Sequence, residues 1–460
     1  GSPLLWRQAS GDGRSHAADL LPFLRGITHE RPHPTQQQRR IAVIGSGIAG
    51  LSAAWALSAQ ARVTLYEAND YFGGHTHTVD VELEGLRHGV DTGFLVFNER
   101  TYPLLIQLFE QLGVEVAASD MSFSVQAPQQ GIEWSGSNLN SVFAQRRNLL
   151  RPRFYAMLTD LLRFNRLCTA LATSGQEAAL AQPIGEFLAQ HRFGTAFRDW
   201  YLLPMVACIW SCPTGQMLSF PISTLIRFCH NHGLLQVTDR PQWFTVRGGA
   251  RHYVEKLLPH IKDPRLATPV TAVQRLGDGQ GVRVQTAQGS ERFDELVMAG
   301  HSDQSLRLLV DATLAERQVL GAIGYQRNRA VLHTDTALLP KRRRAWAAWN
   351  YECGANDGAN AGVCLHYLLN QLQPLPWQQQ VLVSLNPVRE PAAAKVLAEF
   401  DYAHPVFDRA AVAAQARVAA LQGQGNTWFC GAWTRYGFHE DGLLSGLGVA
   451  KRLTERWAKA

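Results

Sequence analysis

No apolar run in this 460-residue chain approaches the ~20 residues that cross a bilayer. The N-terminus also lacks the charged, apolar and small-residue succession of a secretory signal. The sequence therefore predicts a cytoplasmic protein without a membrane span. Cysteine is sparse and odd in number: Cys168, Cys208, Cys212, Cys229, Cys353, Cys364 and Cys430 are scattered without metal-ligand spacing. Cys208 and Cys212 are spaced to share a helical face, but no second pair accompanies them, so packed reduced thiols are expected and no metal. Charged residues make up only 18% of the chain, with a formal net charge of +6. That excess is too mild to imply a nucleic-acid partner. No internal repeat is present.

What remains is a composition with 46% hydrophobic residues, 39 glycines and 12 tryptophans, enough for two or three domains around sizeable cores. In "RRIAVIGSGIAGLSAAWAL" a β-branched run turns through glycines into an alanine-rich segment of helical spacing. Gly45, Gly47 and Gly50 then serve the tight turn, the approach of a phosphate and the packing of helix on strand. Ile48 and Ala49 open the helix, whose N-terminus suits a pyrophosphate. A second strand, "ARVTLYEA", ends in Glu67 about 20 residues on, where a ribose-binding carboxylate belongs. The pattern predicts a bound dinucleotide.

The segments "EANDYFGGHTHT", "DTGFLVFNERTYP", "FTVRGGARHYVEKL" and "CGAWTRYGFHEDGLLSG" together resemble the flavin-containing amine oxidase and phytoene desaturase superfamily. The likeness is to a bacterial subgroup of NAD/FAD-binding oxidoreductases associated with fatty-acyl modification, over about residues 39–455. The resemblance implies an α/β fold: a Rossmann-like, glutathione-reductase-type FAD-binding domain interleaved with a mixed sheet-plus-helices substrate domain. It implies FAD contacts at Glu67, Ala68, Gly73, Gly74, His75 and Thr76, with His75 standing where relatives usually have arginine. It adds Val270 near the adenine, and Gly431, Ala432, Asp441, Gly442 and Leu443 around the flavin. No cysteine falls near the flavin-facing turn, so the FAD is expected to be noncovalent. Trp433 occupies the place where relatives often carry an acid near the ribityl chain. No lysine stands where the amine oxidases hold a water. An FAD-dependent dehydrogenase, desaturase or isomerase of an apolar, fatty-acyl substrate is therefore the expected activity. Amine oxidation is the alternative, and a non-catalytic flavin-binding partner a third reading. No second glycine fingerprint supplies a nicotinamide domain, which leaves the electron acceptor unassigned.

The expected organisation is a loosely attached extension (1–38), an FAD-binding domain (39–92, 237–324, 424–460) and a substrate domain (93–236, 325–423). Residues 140–236 read as helical and 325–390 as strands, with a helical segment leading back to the terminal motif. In "GFHEDGLLSGLGVAKRL", Glu440 and Asp441 read as the acidic start of a helix ending near Lys451 and Arg452. His439 alone is a candidate for chemistry there, as proton carrier or as pocket wall. Finally, "FAQRRNLLRPRFYAMLTDLLRFNRL" carries Arg146, Arg147, Arg151, Arg153, Arg163 and Arg166 among leucines and phenylalanines, and "LLPKRRRAWAAW" is a second basic cluster. The arginine-rich run reads either as peripheral contact with an anionic membrane or as a solvated basic face over an apolar core stripe, and the membrane reading gains if the two clusters share a face.

Overall fold

The computed structural model describes residues 17–30, 38–136, 142–236, 239–354 and 363–460. The run ahead of the glycines forms the strand Arg40–Ile44, paired in parallel with Arg62–Tyr66. Each is buried beyond its first residue, as continuous apolar strands inside a parallel sheet must be. The complete sheet has five strands in the order Asp263–Arg265, Arg62–Tyr66, Arg40–Ile44, Glu295–Met298, Thr427–Phe429, and every pairing is parallel. Stretches far apart in sequence thus converge on one nucleotide-type sheet. A three-stranded antiparallel meander, Val270–Arg275, Val282–Thr286 and Gly289–Phe293, stands beside it.

The glycine-turn helix, Ile48–Leu57, is buried at every position. Its small residues let the C-terminal helix, His439–Lys459, lie directly on it: a Cβ at Gly446 would stand 2.3 Å from the carbonyl oxygen of Ala49. That helix runs well past Lys451 and Arg452, which lie in its middle rather than its last turn.

A seven-stranded mixed sheet forms the second unit, in the order Val396–Val406, Gly324–His333, Leu382–Leu385, Leu365–Leu368, Trp349–Glu352, Phe123–Ala127, Ile132–Ser135. Helices between residues 152 and 231 pack on it through Phe154, Phe164, Phe187, Phe197 and Phe228. The strand Val396–Val406 lies at the start of what reads as a helical return segment. Its alternation of half-buried Ala398, Phe400, Tyr402 and His404 with exposed Leu397, Glu399 and Asp401 is the period of a half-buried edge strand. Helices Arg409–Gln415 and Val418–Leu421 follow it.

Three expectations are corrected. The N-terminal extension is not loose throughout: helix Ala17–Arg25 sinks Leu20 and Leu24 into the core of the nucleotide-sheet unit. Phe94, Phe97, Leu104, Leu105 and Leu108 belong to that same core, so the chain leaves the unit later than residue 93. Cys208 and Cys212 share no helical face, because helix Leu203–Trp210 ends where Ser211 turns left-handed at φ 50°. Among the described residues no helix is long and apolar enough to cross a membrane.

Candidate active site

A cavity of about 1800 Å³ opens between the two sheets. That exceeds the roughly 300–1,000 Å³ of an ordinary ligand pocket and leaves room for a dinucleotide and a second molecule. Its nucleotide-side walls include Gly45, Gly47, Ile48, Ala49, Glu67, Ala68, Gly74, His75, Val270, Gly431, Ala432, His439 and Gly442. Its other walls are mainly apolar, with Leu95, Val96, Met121, Phe123, Trp134, Leu158, Leu161, Met205, Ile209 and Leu234.

The glycine turn has the stereochemistry a phosphate requires. Gly45 sits at φ +106°, and a Cβ there would lie 2.9 Å from the carbonyl of Ala299. At Gly50 a Cβ would fall 1.8 Å from the Gly45 oxygen, whereas at Gly47 it would meet nothing within 4 Å. The turn therefore closes on itself at Gly50 and stays open to the cavity at Gly47. No side chain caps the helix that Gly47 begins, so its first amides are left for an anion. Glu67 is held at the cavity by the Ser46 hydroxyl and by the amides of Ser46 and Asn69, the last at 2.9 Å. Trp433 also lines the cavity, and its buried indole N–H has no partner. An uncapped helix, an open glycine and a fixed carboxylate on one wall fit a dinucleotide.

A cluster of neutral imidazoles adjoins this wall. His75 and His404 face each other edge to face at 5.2 Å, and His301 stacks on Tyr325 at 4.6 Å. Burial, then the neighbouring imidazoles, pull His75 down to about 4 and His404 to about 3. The tautomer of His404 follows from a chain of amides. Asn386 Oδ1 accepts from the Arg329 amide, so Asn386 Nδ2 donates to Asn328 Oδ1, and Asn328 Nδ2 donates to His404 Nδ1 at 2.8 Å. The proton of His404 is thereby placed on Nε2. Sequence reading missed His77, His301, Tyr402 and His404; the alternation in "EFDYAHP" carried the only signal for the last two.

Such a parallel sheet and uncapped glycine turn, with an acid at the next strand end, define a dinucleotide-binding protein. The family model described as flavin containing amine oxidoreductase matches residues 48–342, and the chain belongs to that family. It is an FAD-dependent oxidoreductase. A carotenoid phi-ring synthase from Streptomyces griseus is 27% identical over 332 residues, 67% of this chain, and the chain spans 61% of that relative's length. The fold resembles a CLA-producing fatty acid isomerase from P. acnes (TM-score 0.63, 18% identity, 91% of this chain and 98% of that one). It also resembles cyclohexylamine oxidase from Brevibacterium oxydans (TM-score 0.67, 18% identity, 92% of this chain and all of that one).

Of the residues singled out in the sequence, Gly50, Gly73, Thr76, Asp441 and Leu443 do not line the cavity. Gly50 packs the turn, and Gly73 donates its amide to Ser46 Oγ at 3.2 Å. Leu443 is core. Asp441 accepts from the Phe438 amide at 3.0 Å and so starts its own helix, but Glu440 does not. Its two oxygens accept from the amides of Leu104 and Leu105 at 2.8 and 3.0 Å, capping the neighbouring helix Pro103–Leu112.

His439 lies on the wall as a tethered ring. It stacks on Phe94 at 3.8 Å, and its Nε2 meets the Tyr253 hydroxyl at 2.6 Å and Thr76 Oγ1 at 3.3 Å. Burial holds its pKa well below the usual imidazole range. A neutral ring whose Nε2 is already engaged walls the pocket. His439→Gln is therefore expected to retain FAD and lose less than about tenfold in single-turnover rate, against the ~100-fold to 10,000-fold that a proton-transfer role carries. A loss in that larger range would assign it the proton.

Among the described residues one cluster has metal-ligand spacing, Glu352, Cys364 and His366, away from the cavity walls. Arg389 already meets Glu352 at 2.7 Å, His366 bonds the same carboxylate at 2.7 Å, and Ser384 links His366 to His333. A cation there would face the guanidinium, so the cluster reads as a satisfied hydrogen-bond network.

Proposed function

We propose that the enzyme dehydrogenates or isomerises a long apolar substrate, a fatty-acyl chain or related lipid. The observation that carries this reading is the apolar reach of the cavity from the nucleotide wall to Leu158, Leu161, Met205 and Ile209. Bound FAD supplies a two-electron acceptor for hydride taken from a C–H bond. The chain's own part is to align that bond, by gripping the acyl chain between Met205 and Ile209 on one helix and Leu158 and Leu161 on another, and to exclude water. Val96, Phe123 and Trp134 add further apolar walls to that grip. The names of two similar proteins, a fatty acid isomerase and a carotenoid synthase, agree with substrates of this kind.

Amine oxidation is the second reading, favoured by the likeness to cyclohexylamine oxidase. Against it, none of the residues lining the cavity is a lysine. The test is extraction and mass measurement of whatever copurifies with the holoprotein, alongside Ile209→Trp, which fills the apolar end. A long-chain acyl species lost in the variant while FAD is kept supports the proposal. A bound amine, or acyl species unaffected by the variant, refutes it.

A further inference from the structure

The cavity's apolar end comes to the surface at a face whose chemistry is that of a membrane-docking site. Helix Pro152–Ser174 supplies Leu158, Leu161 and Leu162 to the cavity, and Leu162 is 53% exposed. Tyr155, one and two turns from Leu158 and Leu162 on the same helical stripe, is also exposed. The short turn before this helix carries Leu149 and Leu150, exposed to 46% and 86%.

The two basic clusters seen in the sequence meet at this face. Glu133, on strand Ile132–Ser135, accepts from the amides of Lys341 and Arg342 at 3.1 and 2.7 Å. The same residue's own amide donates to Gln145 Oε1 at 3.2 Å, and its carbonyl accepts from Asn148 at 3.4 Å. One buried residue thus fastens "KRRR" beside the 145–151 turn. Arg147 and Arg151 both spend a guanidinium N–H on the Gly131 carbonyl, 2.8 Å each, which holds them without neutralising them. Among the described residues Arg147, Arg151, Arg153, Arg343 and Arg344 have no carboxylate partner within 4.0 Å.

We propose that this face docks on an anionic lipid bilayer and that acyl chains enter the cavity from the bilayer past Leu162. Unneutralised arginines alone would suit any polyanion; exposed leucines between them suit one with an apolar interior. The second half of the proposal rests on the acyl reading above, whereas the docking itself does not.

The test is cosedimentation of the FAD-loaded protein with mixed phosphatidylglycerol and phosphatidylcholine vesicles, against phosphatidylcholine alone, at low and physiological salt. Binding is expected only with the anionic vesicles and is expected to weaken with salt. The triple variant Arg147→Glu, Arg343→Glu, Arg344→Glu should bind at least about tenfold more weakly. Leu149→Ser with Leu150→Ser, which leaves every charge in place, should also weaken binding and keeps the test decisive if the charge variant misfolds. FAD content and melting temperature serve as fold controls. Failure of the unaltered protein to sediment, equal sedimentation of both variants, or displacement of the vesicles by duplex DNA would overturn the docking. Slower turnover of vesicle-embedded but not detergent-dispersed acyl substrate in the triple variant would support the route. Docking without turnover of any acyl substrate would overturn the route and the acyl reading while leaving the docking in place.

Discussion

Gly50→Ala is expected to abolish accumulation of folded protein, while Gly47→Ala folds and binds FAD more weakly. The two glycines stand three residues apart in one turn, but their surroundings are opposite. A methyl at Gly50 would lie 1.8 Å from the Gly45 oxygen and 3.0 Å from the Ala299 Cβ. The first contact is with backbone, so relief requires the helix Ile48–Leu57 to lift off the strand Arg40–Ile44, and the whole C-terminal helix with it. Overpacking ordinarily costs about 1–3 kcal/mol; a backbone clash that separates two buried elements belongs above that range. At Gly47 a methyl meets nothing within 4 Å, and φ is an ordinary −64°. Its only effect is to occupy the space over the helix N-terminus. Thermal melting of the FAD-free proteins and FAD titration separate the two outcomes: Gly47→Ala should melt near the unaltered protein and bind FAD at least about tenfold more weakly, a change of ~1.4 kcal/mol. Wild-type FAD affinity in Gly47→Ala would show that the pyrophosphate does not sit there.

Glu440→Ala is expected to lower stability by roughly 3 kcal/mol, since it strands two buried amides at about 1–3 kcal/mol each. Leu104 and Leu105 are fully buried, and Glu440 is what their N–H groups meet. The same residue gives a pH dependence. Burial raises its pKa from 4.5 to about 8, despite the two amides, which favour the charged form. The folded state then holds a proton that the unfolded chain has already released, so stability falls as pH rises from about 4.5 to about 8. Asp91, raised from 3.8 to about 7 by burial, contributes with the same sign. Glu440→Gln keeps one acceptor oxygen and cannot ionise. The melting temperature of the unaltered protein should decline across this window, and Glu440→Gln should flatten the decline by Glu440's share. An identical slope in both proteins would place the titrating group elsewhere.

Local chemistry made the nucleotide end of the molecule readable. The glycine spacing, the β-branched runs and Glu67 are each dictated by backbone geometry within a few residues. Position across the fold was not readable. Nothing near Glu440 in sequence reveals that its partners are Leu104 and Leu105, more than 300 residues away. Its acidity at a helix start suggested self-capping, which only Asp441 performs. His404 escaped notice because its place on the wall comes from the pairing of Val396–Val406 with Gly324–His333 and from the Asn386 and Asn328 amides. The two basic clusters were visible individually, but their meeting at Glu133 depends on a strand neither contains.

On the proposed reading, one cavity presents an apolar chain to bound FAD. Anaerobic incubation of the holoprotein with long-chain acyl lipids and, in parallel, with alkyl amines, followed by mass and chromatographic analysis of products, tests it most directly. The expected result is an acyl product, either lighter by one pair of hydrogens or of equal mass and shifted double bond, with the amines unchanged. Conversion of the amines with the acyl lipids untouched would contradict it.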